Sequence, residues 1–235
     1  MRLTMDLNKL KIDGCLDLRS YNAHSGDIDV YFRDIENRLV SHIKNADAVF
    51  GAIAWLTSAP IIDALSQLKN VSIVVQKEDF LRPDIDAQKD WKRQLRNRYC
   101  SLQCDIRRWD FDGVLNQMST QDQLYGFGPV RCLGNRNKDH ATAFPRMHNK
   151  FMVFCKVIDQ IWEDDLLKHI IQPYEVWTGS FNFTKNAGVS LENAVVIRSK
   201  DIVMAYFNEY QQILALSEPL EWESEWVMPE WRVGT

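Results

Sequence analysis

The chain has 235 residues, of which 46% are hydrophobic and 26% are charged, and its formal net charge is −4. This composition predicts a globular domain with a substantial apolar core and excludes a disordered or fibrous chain. The negative net charge argues against indiscriminate binding of polyanions over the whole surface. The best apolar run, residues 48–56, is far shorter than the roughly 20 residues that span a bilayer, so we expect no transmembrane segment.

The N-terminal residues and the cysteines indicate the compartment. Met1 to Leu18 carry charges throughout and lack the apolar core of a signal peptide. Five cysteines without a secreted-framework pattern are typical of a reducing compartment, so we predict a cytoplasmic protein. One set of residues offers zinc-ligating atoms, namely Cys100, Cys104, Cys132 and His140. Because no paired CxxC motif is present, we predict free thiols instead.

The first third of the chain alternates between strand and helix patterns. Asp27–Phe32, Ala48–Leu56 and Val71–Gln76 predict strands, the last two of them buried. Helical spacing of apolar residues predicts helices at Asp34–Asn45 and from Thr57 to about Leu68. This alternation predicts an α/β fold with a mixed, largely parallel β-sheet flanked by helices on both faces.

The middle of the chain is basic. Asp84 to about Leu102 predicts a helix, and Ile106–Phe111 predicts a strand. Residues 89–108 hold seven basic side chains against two acidic ones, and residues 131–150 hold five against one. A charge run is usually only a solvated face, but two successive basic runs favour a track for a phosphate backbone.

Residues 112–146 are expected to be an irregular connection, because their periodicity disappears and glycines and prolines interrupt them. Long loops in compact domains are often functional, so we predict a substrate-facing rim. A disordered surface loop is the alternative. The predicted substrate contacts, most of them from this rim, are Arg131, Arg136, Lys138, Arg146 and Lys185.

A strand predicted at Met147–Val157 carries the polar residues of greatest interest. Because side chains alternate along a strand, His148 and Lys150 project from the same face. Ser180 and Asn182 repeat this arrangement further along the chain. An imidazole beside a fixed cation, together with two short hydrogen-bonding side chains, supplies what phosphodiester cleavage needs without a metal.

The remaining elements complete a single predicted domain over residues 1–235. Glu175–Thr178 and Asn193–Arg198 predict strands, and Asp201–Leu216 predicts a helix. Asp159–Pro173 is expected to be a polar insertion between the two halves of the site. Residues 1–26 are predicted as an N-terminal extension. Residues 217–235 form an acidic tail rich in tryptophan, which packs either on the domain or on a partner protein.

These motifs resemble the phospholipase D superfamily. Its signature is His-x-Lys, four residues and Asp, followed downstream by Gly-Ser-x-Asn and Glu. The residues that carry the resemblance are His148, Lys150, Gly179, Ser180, Asn182 and Glu192. The spelling over residues 146–198 is most similar to the single-motif branch, which includes bacterial nonspecific endonucleases and mitochondrial Zucchini-type proteins.

One residue departs from the signature, because Cys155 stands at the position of its Asp. Cys155 lies an odd number of residues from His148, so on a regular strand it points away from the catalytic face. We therefore interpret this position as a supporting one. On that interpretation Cys155→Asp keeps or increases activity.

The resemblance implies a mechanism and an assembly. Family members use two histidines, one of which attacks phosphorus to form a phosphohistidine while the other protonates the leaving oxygen. This chain has one motif, so the resemblance implies a homodimer in which two His148 residues meet, with Lys150, Ser180 and Asn182 of each chain completing the site. Glu192 would hold one imidazole nitrogen. No catalytic metal or other cofactor is implied.

The predicted function is that of a nuclease that cleaves DNA or RNA, and by analogy one that defends against foreign nucleic acid. Two other classes remain open. One is a phospholipid phosphodiesterase or phosphatidyltransferase, since the same residues handle phospholipids elsewhere in the superfamily. The other is a catalytically inactive nucleic-acid-binding protein, which Cys155 alone motivates.

Overall fold

The computed structural model describes residues 6–9, 11–12, 16–17, 19–78, 81, 90–119, 127–135, 144–161, 167–221, 226–229 and 232–233. The helices of these parts are α1 (Ile35–Lys44), α2 (Ala59–Leu65), α3 (Asp90–Cys100) and α4 (Lys200–Ala215). The strands are β1 (Lys11–Ile12), β2 (Leu16–Asp17), β3 (Ala23–Ser25), β4 (Ile28–Tyr31), β5 (Ala48–Ile53), β6 (Asn70–Gln76), β7 (Met118–Ser119), β8 (Val130–Leu133), β9 (Lys150–Ile161), β10 (Leu167–Gly179), β11 (Ala194–Ile197), β12 (Glu218–Pro219) and β13 (Arg232–Val233).

Nine of these strands form one mixed sheet in the order β12-β8-β6-β5-β9-β10-β11-β4-β3. Only β5, β6 and β8 are parallel neighbours. The other six pairs are antiparallel. The prediction of a largely parallel sheet was therefore wrong, whereas the prediction of a mixed sheet with helices is confirmed.

A long hairpin explains the excess of antiparallel pairs. β9 and β10 pair from Phe151↔Thr178 to Ile161↔Leu167, and only residues 162–166 connect them. That connection is too short for the crossover helix that parallel strands require. The polar insertion predicted at Asp159–Pro173 is also wrong, because the described residues there are strand. Beyond the Ala48↔Cys155 pair β9 has no β5 partner, and its remaining residues are largely exposed. Exposed strand positions carry polar side chains, so this segment resembled a polar insertion.

Two apolar layers cover the sheet. On one face Leu39 of α1, Ile61 of α2 and Leu95 of α3 pack in one buried cluster with strand residues such as Phe154. On the other face, residues of α4 pack in a second cluster, where the Phe207 ring lies 5.7 Å from the ring of Phe50. The long strands are thus covered on both sides along their middle. No helix in the described ranges has the length and apolar character needed to cross a bilayer.

Two further predictions about elements need correction, and the start of the tail is found to pack on the domain. Ile106–Phe111 is not a strand but contains a 3-10 turn at Arg108–Asp110, since the Asp110 carboxylate accepts the backbone N–H of Arg107 at 2.7 Å. The 112–146 interval supplies β8 to the sheet, and the tail supplies its edge strand β12. Both strands are too short for their periodicity to be recognised in the sequence.

A network of charged side chains connects β4, β10 and the residue that follows β11. The Arg198 guanidinium donates to Glu175 Oε2 at 2.8 Å and to Asp29 Oδ2 at 2.7 Å. Glu175 is buried and is also bound by His42 Nδ1 at 2.6 Å. Burial raises the pKa of Asp29, but the hydrogen bonds from Arg198 and His24 outweigh it, so this pKa lies below its usual value.

Arg198→Met is expected to lower the free energy of unfolding by about 2 kcal/mol at neutral pH, because it leaves a buried carboxylate with one partner fewer. The Asp29 carboxyl, whose pKa is depressed, contributes stability above its unfolded pKa and loses it as the pH falls through the folded value. The difference between variant and wild type should therefore shrink below about pH 4. Denaturant unfolding across this pH range measures it, with the partly exposed Arg38→Met as control, and a difference independent of pH would contradict the account.

Candidate active site

Strand pairing brings the two predicted halves of the site together at one end of the sheet. Lys150 opens β9 opposite Ile53, the last residue of β5. Gly179 closes β10, which runs antiparallel to β9, so the residues just before β9 and just after β10 are neighbours. His148 and Ser180 occupy these flanking positions. The convergence of the two motifs follows from the hairpin that the sequence patterns did not reveal.

His148 and Lys150 form the cationic half of the site. Lys150 Nζ lies 3.4 Å from His148 Nδ1 and donates to the His148 carbonyl oxygen at 3.2 Å. The imidazole itself is exposed. Desolvation lowers the pKa of His148 most, and the positive charges of Lys150 and Arg146 lower it further. These effects favour the neutral form of the ring, which is the form that acts as a nucleophile or a general base.

Ser180 and Glu192 form the second half. The Ser180 hydroxyl donates to Glu192 Oε2 at 2.5 Å and accepts the backbone N–H of Asn193 at 3.1 Å. Gly179 has a φ of +148°, and a Cβ there would lie 2.4 Å from the Asn193 carbonyl oxygen. Only glycine allows this close approach of the two backbone segments. The turn after β10 is thus fixed both by this close backbone approach and by the hydrogen bonds of the Ser180 side chain.

The two halves are close enough to interact electrostatically. Burial lowers the pKa of Lys150, and the negative charge of Glu192 opposes that change. Asn182 follows Ser180 by two residues, and its Oδ1 is buried without a hydrogen-bond partner. The contact predicted between Glu192 and an imidazole is not among the hydrogen bonds of the described chain, where the Glu192 carboxylate accepts from Ser180 instead.

Two residues that shape this edge were missed in the sequence. The Trp55 ring lies 5.3 Å from the His148 ring at 84°, and Lys150 Nζ lies 5.9 Å from its centroid. The buried Gln76 accepts the backbone N–H of Met147 at 2.7 Å and so fixes the residue before His148. Trp55 follows the carboxyl end of β5, and Gln76 ends its parallel neighbour β6. Ligand sites of α/β sheets lie at such carboxyl ends. That rule was the signal that could have identified them.

The predicted substrate contacts do not all reach this edge. Arg146 does, since its charge acts on His148, and Lys185 is exposed in the turn after Asn182. Arg131 does not qualify, because it is buried and its guanidinium donates to Ser217 Oγ at 2.7 Å. Two further contacts lie outside the described residues, namely Arg136 and Lys138.

Near its end, at Arg107, the first basic run lies far from this site. Arg107 lines a cavity of about 790 Å³ together with Asn70, Trp109 and His169. Asn70 begins β6 and Gln76 ends it, so roughly 20 Å of strand separates this cavity from the edge that carries His148. Arg107 therefore lies too far from His148 to belong to one phosphate track with the second basic run.

The other described histidines are engaged elsewhere. His24 pairs with Asp29 at 2.6 Å, His42 with Glu175 at 2.6 Å, and His169 with Asp159 at 2.9 Å. His140, the fifth, is outside the described ranges. Within those ranges no group of three or more His, Cys, Asp or Glu residues is arranged to hold a metal ion. The described chain thus offers one imidazole to this edge of the sheet.

Comparison with known proteins identified one relative in sequence. The uncharacterized protein L381 of Acanthamoeba polyphaga mimivirus is 33% identical over 230 residues, which cover 94% of this chain and 75% of the relative. No protein-family model matches the chain.

Two solved structures are similar in fold. One is Nuc from Salmonella typhimurium, described as a phospholipase D family member, with 18% identity and a TM-score of 0.47 over 81% of this chain and 95% of that chain. The other is NucT from Helicobacter pylori, with 16% identity and a TM-score of 0.47 over 81% of this chain and 96% of that chain. Similarity at this level carries no assignment of activity, which has to come from the side chains of the site.

Proposed function

The chain belongs to the same family as protein L381 of Acanthamoeba polyphaga mimivirus, and we propose that it is a metal-independent phosphodiesterase of the phospholipase D type that cleaves nucleic acid. One observation carries this proposal. An exposed imidazole, His148, has an amine 3.4 Å from its Nδ1, beside the hydrogen-bonded pair Ser180 and Glu192. A nucleophile, a cation and a hydrogen-bonded serine–glutamate pair thus lie at one edge, where attack on a phosphodiester requires a nucleophile and a cation.

The proposed reaction has two steps. A neutral His148 attacks phosphorus and forms a P–N bond, while the P–O bond to the leaving group breaks and the leaving oxygen takes a proton from a second imidazole. Water then attacks the phosphohistidine, gives its proton to that second imidazole and releases His148. Lys150 stabilises the charge on the non-bridging oxygens in both steps.

A second copy of the chain supplies the second imidazole in this proposal. His148 is exposed, and the other described histidines pair with carboxylates away from it. A two-fold axis beside His148 would bring the two rings together and give a single composite site per dimer.

Nucleic acid is the proposed substrate because basic side chains surround the imidazole. Arg146 and Lys150 both act on the pKa of His148 through their positive charge, and the exposed Lys185 follows in the adjacent turn. A chain of phosphodiesters satisfies several such cations at once. By analogy, we also propose that this cytoplasmic nuclease has weak sequence preference and defends against foreign nucleic acid.

A substrate panel tests this function. The protein is incubated with plasmid, single-stranded oligonucleotide, RNA and cardiolipin liposomes, all in the presence of a chelator. We expect cleavage of nucleic acid that resists the chelator, an acid-labile phosphate adduct on His148, and a dimer in sedimentation. Activity that a chelator abolishes and a divalent ion restores would refute the mechanism, whereas release of lipid headgroups alone would assign the site to phospholipids.

The pH dependence of cleavage provides a second test. Because the pKa of His148 is lowered by desolvation and then by Lys150 and Arg146, the acid limb of kcat/KM should lie below about pH 6.5. Lys150→Met removes one positive neighbour, so the His148 pKa rises and the acid limb moves to higher pH, with a rate loss of about 100-fold to 1,000-fold.

Matched profiles of kcat/KM against pH measure this shift. The exposed Lys69, which lines the cavity at the opposite end of the sheet, offers the control Lys69→Met, for which we expect an unchanged limb. A limb that stays in place in the Lys150 variant would mean that the ammonium does not act on the imidazole.

A further inference from the structure

Two aromatic side chains are unusually exposed close to the catalytic edge. Phe144 is 70% exposed and Trp226 is 69% exposed. Large apolar side chains held in water at a defined place often mark a binding surface. The function proposed above makes no use of either residue.

The backbones that carry both rings are anchored by one buried side chain. The Asn135 amide donates to the Phe144 carbonyl oxygen at 2.5 Å and accepts the backbone N–H of Val227 at 3.1 Å. Asn135 is only 6% exposed. The buried Lys77 also donates to the Trp226 carbonyl oxygen at 2.8 Å. The exposure of the two rings is therefore built into the fold and is not the fraying of a loose end.

Hydrogen bonds through Gln76 also connect Asn135 to the residue before His148. The Gln76 amide donates to the Asn135 carbonyl oxygen at 3.0 Å and accepts the backbone N–H of Met147 at 2.7 Å. Met147 directly precedes His148. The buried Gln76 amide thus sets the position of the imidazole and of the segment that presents the aromatic rings.

Positive charge accompanies the exposed Phe144 ring. The Arg146 guanidinium carbon lies 5.7 Å from the centroid of the Phe144 ring, and Lys150 follows four residues later at the site. Aromatic faces for bases, interleaved with cations for phosphates, are the pattern by which proteins hold single-stranded nucleic acid. A duplex buries its base faces in its own stack and so cannot use such rings.

We propose that Phe144 and Trp226 form an aromatic platform on which unpaired bases of a single-stranded nucleic acid stack, so that the adjoining phosphodiester lies at His148. This inference rests on the proposed phosphodiesterase function and names its substrate class. It makes strand state, rather than base sequence, the property that the enzyme selects, because every base offers a face to stack.

Binding to a chain that cannot cleave tests the platform separately from catalysis. In the His148→Ala background, fluorescence anisotropy with an oligonucleotide of about 16 nucleotides gives the Kd for single strands and for the matching duplex. We expect tighter binding of the single strand, and a Kd for it about 10-fold weaker after Phe144→Ala or Trp226→Ala. Phe144→Tyr and Trp226→Phe keep a ring and should restore most of the affinity. Trp109→Ala, at the opposite end of the sheet, is the control and should change nothing.

The outcomes separate the two proposals. Equal Kd values for the alanine variants and their parent, or preference for the duplex or for anionic vesicles over the single strand, would overturn the platform. Hydrolysis of bis-para-nitrophenyl phosphate by the wild-type chain tests the phosphodiesterase function alone, since this substrate has no base to stack. If that hydrolysis fails while the ring-dependent binding persists, the platform belongs to a binding protein and the proposed function is wrong.

Discussion

His148→Ala is expected to abolish phosphodiester cleavage, with kcat/KM falling on the order of 10⁵-fold. The reason is that the imidazole forms the covalent bond to phosphorus, and no other described histidine is free to replace it, since each pairs with a carboxylate. Because His148 is exposed, its removal should change the free energy of unfolding by no more than about 0.5 kcal/mol. Steady-state cleavage of an oligonucleotide and thermal unfolding of the same preparation measure the two effects.

Mixing the two chains extends this test to the dimer. If one composite site needs an imidazole from each protomer, a heterodimer of wild type and His148→Ala is inactive. After subunit exchange at equal amounts, only about one quarter of the dimers are wild type. Activity per total chain should then be about one quarter of the wild-type value, whereas independent sites would give about one half. A value of one half, or a monomer in sedimentation at full turnover, would remove the dimer from the mechanism.

The local elements of this fold could be predicted from the sequence because their signals are local. Helix α1 has a clear spacing of buried Ile35, Leu39 and Ile43, and β5 and β6 are buried at every residue. The pairing of strands has no such local signal. It depends on a hairpin whose outer half is solvated, so its residues resembled a polar insertion.

The candidate site was predictable to the extent that its residues lie on short motifs. His148 with Lys150, and Ser180 with Glu192, could be identified by their spacing, and the structure brings these pairs to one edge. Trp55 and Gln76 lie outside these motifs and act on His148 across strand neighbours, so only the rule that places ligand sites at the carboxyl ends of parallel strands could have identified them. Arg131 was predicted as a substrate contact from its charge, but its position in β8 buries it.

The residue at the motif's Asp position leads to the second large effect. Cys155 is fully buried among apolar residues of the face that α4 covers, in the same cluster as Ala48, Val153 and Tyr210. Met152 and Phe154, which share strand parity with Lys150, belong to the cluster on the other face. Cys155 therefore points away from the site, as strand alternation predicts. Burial raises the pKa of its thiol, which keeps it neutral.

Cys155→Asp is accordingly expected to lower the free energy of unfolding by about 3–5 kcal/mol, because it places a carboxylate in an apolar layer without a cation to pair with. This replaces the expectation from sequence that the change keeps or increases activity. Such a carboxyl has a folded pKa above its unfolded value, so the loss should grow by up to about 1.4 kcal/mol per pH unit above pH 4, until the folded pKa is reached. Cys155→Ser creates no charge and should cost about 1–2 kcal/mol without that slope. Denaturant unfolding of both variants across pH separates the two costs, and an aspartate variant as stable as wild type would mean that a cation reaches position 155.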